Sequence, residues 1–150
     1  MLSRRTFLQS LDTAAVEGAI ARAESRTSGE IRISIAGLFV GSSRRLAERA
    51  FRRLGLQATR NRNGVLLLIA PARRQVVVLG DEAIHAQVGD AFWTEIAGRV
   101  GTRFGEGHFT QGVVEAVDAI GEALARHFPA RAEADGNPNE LPDTIDVGDH

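Results

Sequence analysis

Asn63-Gly64-Val65-Leu66-Leu67-Leu68-Ile69-Ala70-Pro71-Ala72-Arg73-Arg74-Gln75-Val76-Val77-Val78-Leu79-Gly80-Asp81 is the stretch on which the architecture turns. Val65 to Ile69 is a continuous apolar run of strand length, and such runs belong to strands buried on both faces. Gln75 to Leu79 is a second run, rich in β-branched residues. Only the tight turn around Pro71-Ala72-Arg73 separates the two, so they form an antiparallel hairpin.

Working upstream, Glu30-Ile31-Arg32-Ile33-Ser34-Ile35-Ala36 alternates with isoleucine on one face, the period of a strand. Between this strand and Val65 lies a helix. Gly41-Ser42-Ser43 supplies a turn and cap, Leu46, Ala47, Ala50, Phe51 and Leu54 form its apolar stripe, and Gly55 closes it. The arginines at 44, 45, 49, 52 and 53 lie off that stripe and face solvent. A strand that reaches the next one through a helix runs parallel to it with a right-handed crossover.

Further out, Leu8, Leu11, Ala15, Ala19, Ile20 and Ala23 predict a first helix over 10–26, ended by Ser28-Gly29 with Gly29 suited to a left-handed cap. Beyond Gly80, a short helix over 82–87 is capped by Asp81. A longer one is capped by Asp90 and carries Phe92, Ile96, Ala97, Val100 and Phe104. A last one is capped by Thr110 and carries Val113, Val117, Ile120, Leu124 and Phe128 until Pro129 stops it. The expected fold is therefore α/β, a small mixed sheet with helices packed on its faces (an α/β sandwich) in the order αβαββααα. Residues 1–9 read as an N-terminal arm and 10–129 as the domain. Residues 130–150 read as an acidic, proline-containing tail, extended or disordered, which Leu141, Ile145 and Val147 are able to pin to the body.

Composition removes several chemistries. Cysteine is absent, which excludes disulfides, thiol catalysis and zinc–thiolate sites. All 18 basic residues are arginine, so neither a P-loop lysine nor a Schiff-base lysine exists. No apolar run reaches the roughly 18–20 residues that span a bilayer. Ser3-Arg4-Arg5-Thr6-Phe7-Leu8 matches most of a twin-arginine export signal. The segment after it holds Asp12, Glu17, Arg22 and Glu24 and reads as an amphipathic helix rather than the apolar stretch such a signal needs. A cytoplasmic location is expected, with export the alternative if that resemblance is functional. The net charge of −1 is unevenly laid out: residues 44–74 hold nine arginines against Glu48 alone, whereas 75–129 hold three arginines against eight acids and 130–150 one against six. A basic middle and an acidic C-terminal part can attract each other, or one can face an anionic partner.

The motifs resemble those of the TPM domain. Thr27-Ser28-Gly29-Glu30-Ile31 precedes the first strand, Arg62-Asn63-Gly64-Val65-Leu66-Leu67 opens the second, and Val78-Leu79-Gly80-Asp81-Glu82-Ala83-Ile84 closes the third. Phe92-Trp93 and Phe109-Thr110-Gln111-Gly112-Val113-Val114 follow at the later helices. Order and spacing together carry the resemblance, over roughly residues 10–129. The tail stretch Asn139-Glu140-Leu141-Pro142-Asp143 is similar to that of short, stand-alone bacterial members. The resemblance implies an α/β sandwich and brings with it the acid phosphatase activity and divalent-cation binding proposed for one member, while many members have no demonstrated activity.

Topology then singles out one place. With strands one and two parallel and strand three antiparallel, Gly29-Glu30, Asn63-Gly64 and Gly80-Asp81-Glu82 converge at one end of the sheet. Asp81, Glu82, Glu30 and Asn63 would offer oxygen ligands to Ca²⁺ or Mg²⁺, and the glycines would allow close backbone approach. Arg60 and Arg62 flank this edge and would receive phosphate oxygens. Against this stands ordinary turn chemistry, with Asp81 as a helix cap and Arg60 and Arg62 in a solvated loop. His85 is either a further ligand or a helix-surface residue, and no zinc spacing is present. Glu115, Asp118 and Glu122 form the solvated face of the last helix, and Trp93 is partly buried core. Three functions follow: an accessory or binding module that takes a divalent cation, a partner protein or both; a weak metal-assisted phosphatase; or a binder of anionic surfaces through residues 44–74. Nucleic acid is the least favoured partner, because aromatic residues are too few for base stacking.

Overall fold

In the computed structural model, which describes residues 2–130 and 145–148, strands β1 (Glu30–Ile35), β2 (Gly64–Ala70) and β3 (Gln75–Gly80) form a mixed sheet in that order. β1 and β2 are parallel, with Glu30 opposite Gly64 and Ile35 opposite Ile69. β2 and β3 are antiparallel, with Val65 opposite Gly80 and Ala70 opposite Gln75. The helices are α1 (Arg4–Gln9), α2 (Thr13–Glu24), α3 (Ser43–Arg53), α4 (Glu82–Val88), α5 (Asp90–Gly105) and α6 (Phe109–His127).

The apolar run of β2 is continuous because two cores need it. Val65, Leu67 and Ile69 join Ile31, Ile33, Ile35 and Val78 beneath α2, α5 and α6. Leu66, Leu68 and Ala70 join Leu46, Ala47, Ala50, Phe51 and Leu56 beneath α3 and the 3₁₀ turn Leu56–Ala58. The sheet is thus covered on both faces.

Local capping departs from the sequence expectation in several places. The helix expected over 10–26 is α2, which starts only at Thr13 because Asp12 is extended and its carboxylate accepts from the Ala15 amide at 3.0 Å; the departure is upstream, where the stretch 1–9, read as an arm, holds a helix of its own. Residues 4–9 form α1, whose Phe7 is fully buried, with ring centroids 5.4 Å from both Phe104 and Phe109. Gly29 does not adopt a left-handed conformation. It is glycine for room, since a Cβ there would lie 2.8 Å from Leu124 and 3.1 Å from the Asn63 carbonyl. Asp90 is the first residue of α5, with Gly89 (φ +80°) in the capping position. Thr110 lies inside α6, where its hydroxyl accepts from the Asp12 amide at 2.9 Å and ties α6 to the start of α2.

Leu141 lies outside the described residues. Ile145 packs against the larger core. Asp146 exchanges backbone bonds with β1, its amide donating to the Ile33 carbonyl and its carbonyl accepting from the Ile35 amide, both at 2.9 Å. With the Ile31 amide donating to Glu24 at 2.8 Å, both ends of the outer edge of β1 are engaged. No described helix is long and apolar enough to cross a membrane.

Candidate functional site

The N-terminal ends of β1 and β2 and the C-terminal end of β3 do share one end of the sheet. The Asp81 amide donates to the Gly64 carbonyl at 2.8 Å, and the Ala83 amide donates to the Arg62 carbonyl at 3.0 Å, so the loop before β2 and the start of α4 are stitched together. Asp81 is buried and caps α4, its Oδ1 accepting from the Glu82 amide at 2.8 Å. The same carboxylate receives a bidentate pair from Arg62, Nε to Oδ2 at 2.8 Å and Nη2 to Oδ1 at 3.0 Å. Arg62 Nη1 also lies 3.4 Å from the exposed Glu82 carboxylate. Asp81 raises the pKa of the Arg62 guanidinium above its ordinary value, mainly through these hydrogen bonds. Arg62, read with Arg60 as a phosphate ligand, therefore pairs with two of the four residues read as metal ligands.

Arg62 holds this place with φ +50°, the left-handed region that L side chains seldom adopt. Such backbone persists where surrounding bonds over-determine it, and here its carbonyl and guanidinium are both engaged. Arg60 is exposed on the same loop.

Asn63 is fully buried. Its amide nitrogen donates to the Ser28 hydroxyl at 3.1 Å, as does that of Asn61, while its Oδ1 has no hydrogen-bond partner among the described residues. Buried polar atoms are nearly always satisfied, so this oxygen is an exception among the described residues.

Glu30 is set apart from the cluster. It is sealed in the interior, where Arg32 reaches it at 3.3 Å and reaches Glu24 at 3.1 Å. The Arg32 guanidinium also donates to the Ile31 carbonyl at 2.6 Å. This Glu24–Arg32–Glu30 triad was invisible in sequence, because the alternation of β1 reads as one polar and one apolar face, whereas all six residues of the strand are buried. Glu24 gave the only available signal, a carboxylate close to the apolar stripe at the end of α2.

Among the described residues His85 makes no bond to Asp81 or Glu82, and its Nε2 lies 3.6 Å from the exposed Asp90 carboxylate. Its Nδ1 accepts from the Trp93 indole at 3.0 Å, which fixes the buried tryptophan against β3. On the last helix Glu115 pairs with Arg103 at 3.0 Å, and hydrogen bonds from Arg103 and Gln111 lower its pKa. Among the described residues no group of three or more acidic and histidine side chains is gathered so as to hold a metal ion unaided.

Comparison with known proteins agrees with this fold. The structure of the BA42 protein from the psychrophilic bacterium Bizionia argentinensis superposes with a TM-score of 0.81 at 34% sequence identity, covering 91% of this chain and 92% of that one. No curated protein sequence matches the chain. The sequence profile described as the TPM domain matches residues 3–123, and with four-fifths of its length so matched the chain belongs to the TPM domain family.

Proposed function

We propose that the chain is an accessory binding domain that takes a divalent cation at the Asp81 end of the sheet, rather than an enzyme. The observation that carries this reading is the buried Asn63 Oδ1 without a hydrogen-bond partner, next in the chain to Gly64, whose carbonyl holds the Asp81 amide. A hard cation such as Ca²⁺ or Mg²⁺ seeks such carbonyl and carboxylate oxygens. Arg62 occupies the Asp81 carboxylate in the free protein, so the cation competes with a guanidinium and enters as Arg62 swings out beside the exposed Glu82. Glu30 is no ligand on this reading, since its charge is spent on Arg32 inside the fold.

Calorimetric titration with Ca²⁺ and Mg²⁺ tests the competition. Arg62→Ala should bind more tightly than wild type, and Asp81→Ala should not bind. If neither wild type nor Arg62→Ala takes up either ion, the reading is wrong. Phosphomonoester hydrolysis measured alongside should stay at background. Turnover that chelator and Asp81→Ala both abolish would make the protein a metal-assisted phosphatase instead.

A further inference from the structure

The three large hydrophobic side chains exposed among the described residues are Leu38 (77%), Val40 (93%) and Val147 (41%). All lie at the end of the sheet opposite Asp81. Leu38 and Val40 stand in the loop leaving β1, and Val147 follows Asp146, which bridges Ser34 in parallel near the end of the same strand. Arg44 and Arg45 in the first turn of α3, and Arg73 and Arg74 in the β2–β3 turn, share this end. Residues 36–47 and 68–77, which carry these arginines, contain no carboxylate, and Asp146 at the same end is paired with Arg53.

The loop is held rather than loose. The Arg73 guanidinium donates to the Phe39 and Gly41 carbonyls and stacks 3.7 Å from the centroid of the Phe39 ring. Phe39 turns inward against the core beneath α3. With the middle residue pinned inward, its two neighbours project outward as a fixed aliphatic pair. Arg45 and Arg74 are exposed and make no ion pair among the described residues, and Arg44 meets only Glu48, at 3.6 Å on the surface.

The structure assigns this end to the surface of an anionic lipid bilayer, with Leu38 and Val40 entering the acyl boundary and Arg44, Arg45 and Arg74 meeting the headgroup phosphates. Aliphatic tips inside a ring of cations are what an interfacial anchor requires. A dimer built on this patch would set four arginines of each copy against four of the other. A polyanion such as nucleic acid would use the arginines and gain nothing from Leu38 or Val40. The inference does not rest on the cation reading, which concerns the other end of the sheet.

Vesicle co-sedimentation of the whole chain decides it. Wild type should pellet with mixed phosphatidylcholine–phosphatidylglycerol vesicles and not with phosphatidylcholine alone, and added salt should release it. Leu38→Ser with Val40→Ser should weaken binding about tenfold, and Arg44→Glu with Arg45→Glu at least as much. All four positions are exposed, so circular dichroism should show both variants folded. Equal pelleting with both lipid mixtures, no pelleting with either, or an unchanged Leu38→Ser, Val40→Ser variant would overturn the assignment. So would a wild-type dimer in sedimentation velocity that this variant dissociates.

Discussion

Arg32 occupies a position on β1 that the alternation of the strand assigns to a polar face, yet 2% of it is exposed and two carboxylates converge on it. Taking three charges out of water is costly, and the arrangement holds only while each keeps its partner. Arg32→Ala should therefore cost about 3–5 kcal/mol, because it strands buried carboxylates. Urea unfolding followed by circular dichroism measures this, and a loss below about 1 kcal/mol would mean that water reaches the triad. A second residue with no freedom is Gly80, where a Cβ would lie 2.3 Å from Trp93 Cζ2. Gly80→Ala must displace the indole and with it the bond to His85, at about 1–3 kcal/mol. As Trp93 is the single tryptophan, its emission should shift, and an unchanged spectrum would show that the backbone moves instead. The sequence displayed Gly80-Asp81 as turn chemistry. That the glycine answers to an indole thirteen residues later is a matter of tertiary packing, which no local pattern carries.

At the scale of elements, periodicity served the strands and the apolar stripes well, because β2 must feed two cores and says so in every residue. Caps were less legible. Asp12, Asp90 and Thr110 are all residues that cap helices, and which of them does so depends on neighbours far along the chain, as the Thr110–Asp12 bond shows. The most consequential element is the short return of the chain at Asp146. Its carboxylate takes Arg53 at 2.8 and 3.1 Å and the Ser34 hydroxyl at 2.8 Å, joining α3 and β1 through one side chain. Burial alone would raise its pKa, but the hydrogen bonds from Arg53 and Ser34 outweigh it and hold the carboxyl below the usual range. A folded-state pKa below the unfolded one means stability that is present above the unfolded value, near 4, and lost as pH falls through the lowered one. Asp146→Ala should cost about 1–3 kcal/mol at pH 7. Between wild type and variant the gap in thermal midpoint should narrow below about pH 4. A gap that is constant down to pH 2 would show that the backbone bonds to Ile33 and Ile35, not the carboxylate, do the pinning.

Over the whole molecule, the fold divides what the linear charge count lumped together. The arginine-rich block 44–74 is one run in sequence. Its first and last members, Arg44, Arg45, Arg73 and Arg74, gather where β1 ends, while Arg60 and Arg62 sit where β1 begins, beside Asp81. The two ends are separated by the six paired residues of β1, about 20 Å of strand. A net charge of −1 would not by itself draw the protein to an anionic surface, so any attraction must come from this polarity, which orients the chain with its Asp81 end toward water. Surfaces that far apart, sharing no side chain, should act additively. Cation affinity measured on phosphatidylglycerol-containing vesicles should then stay within about twofold of its value in solution. Amide exchange on those vesicles should slow around 38–41 and 73–74 and remain unchanged around 62–64 and 81–83. Slowing at both ends, or a cation affinity that falls tenfold on the vesicle, would mean that the protein lies on its side across the bilayer surface and that the two ends compete for the same lipid.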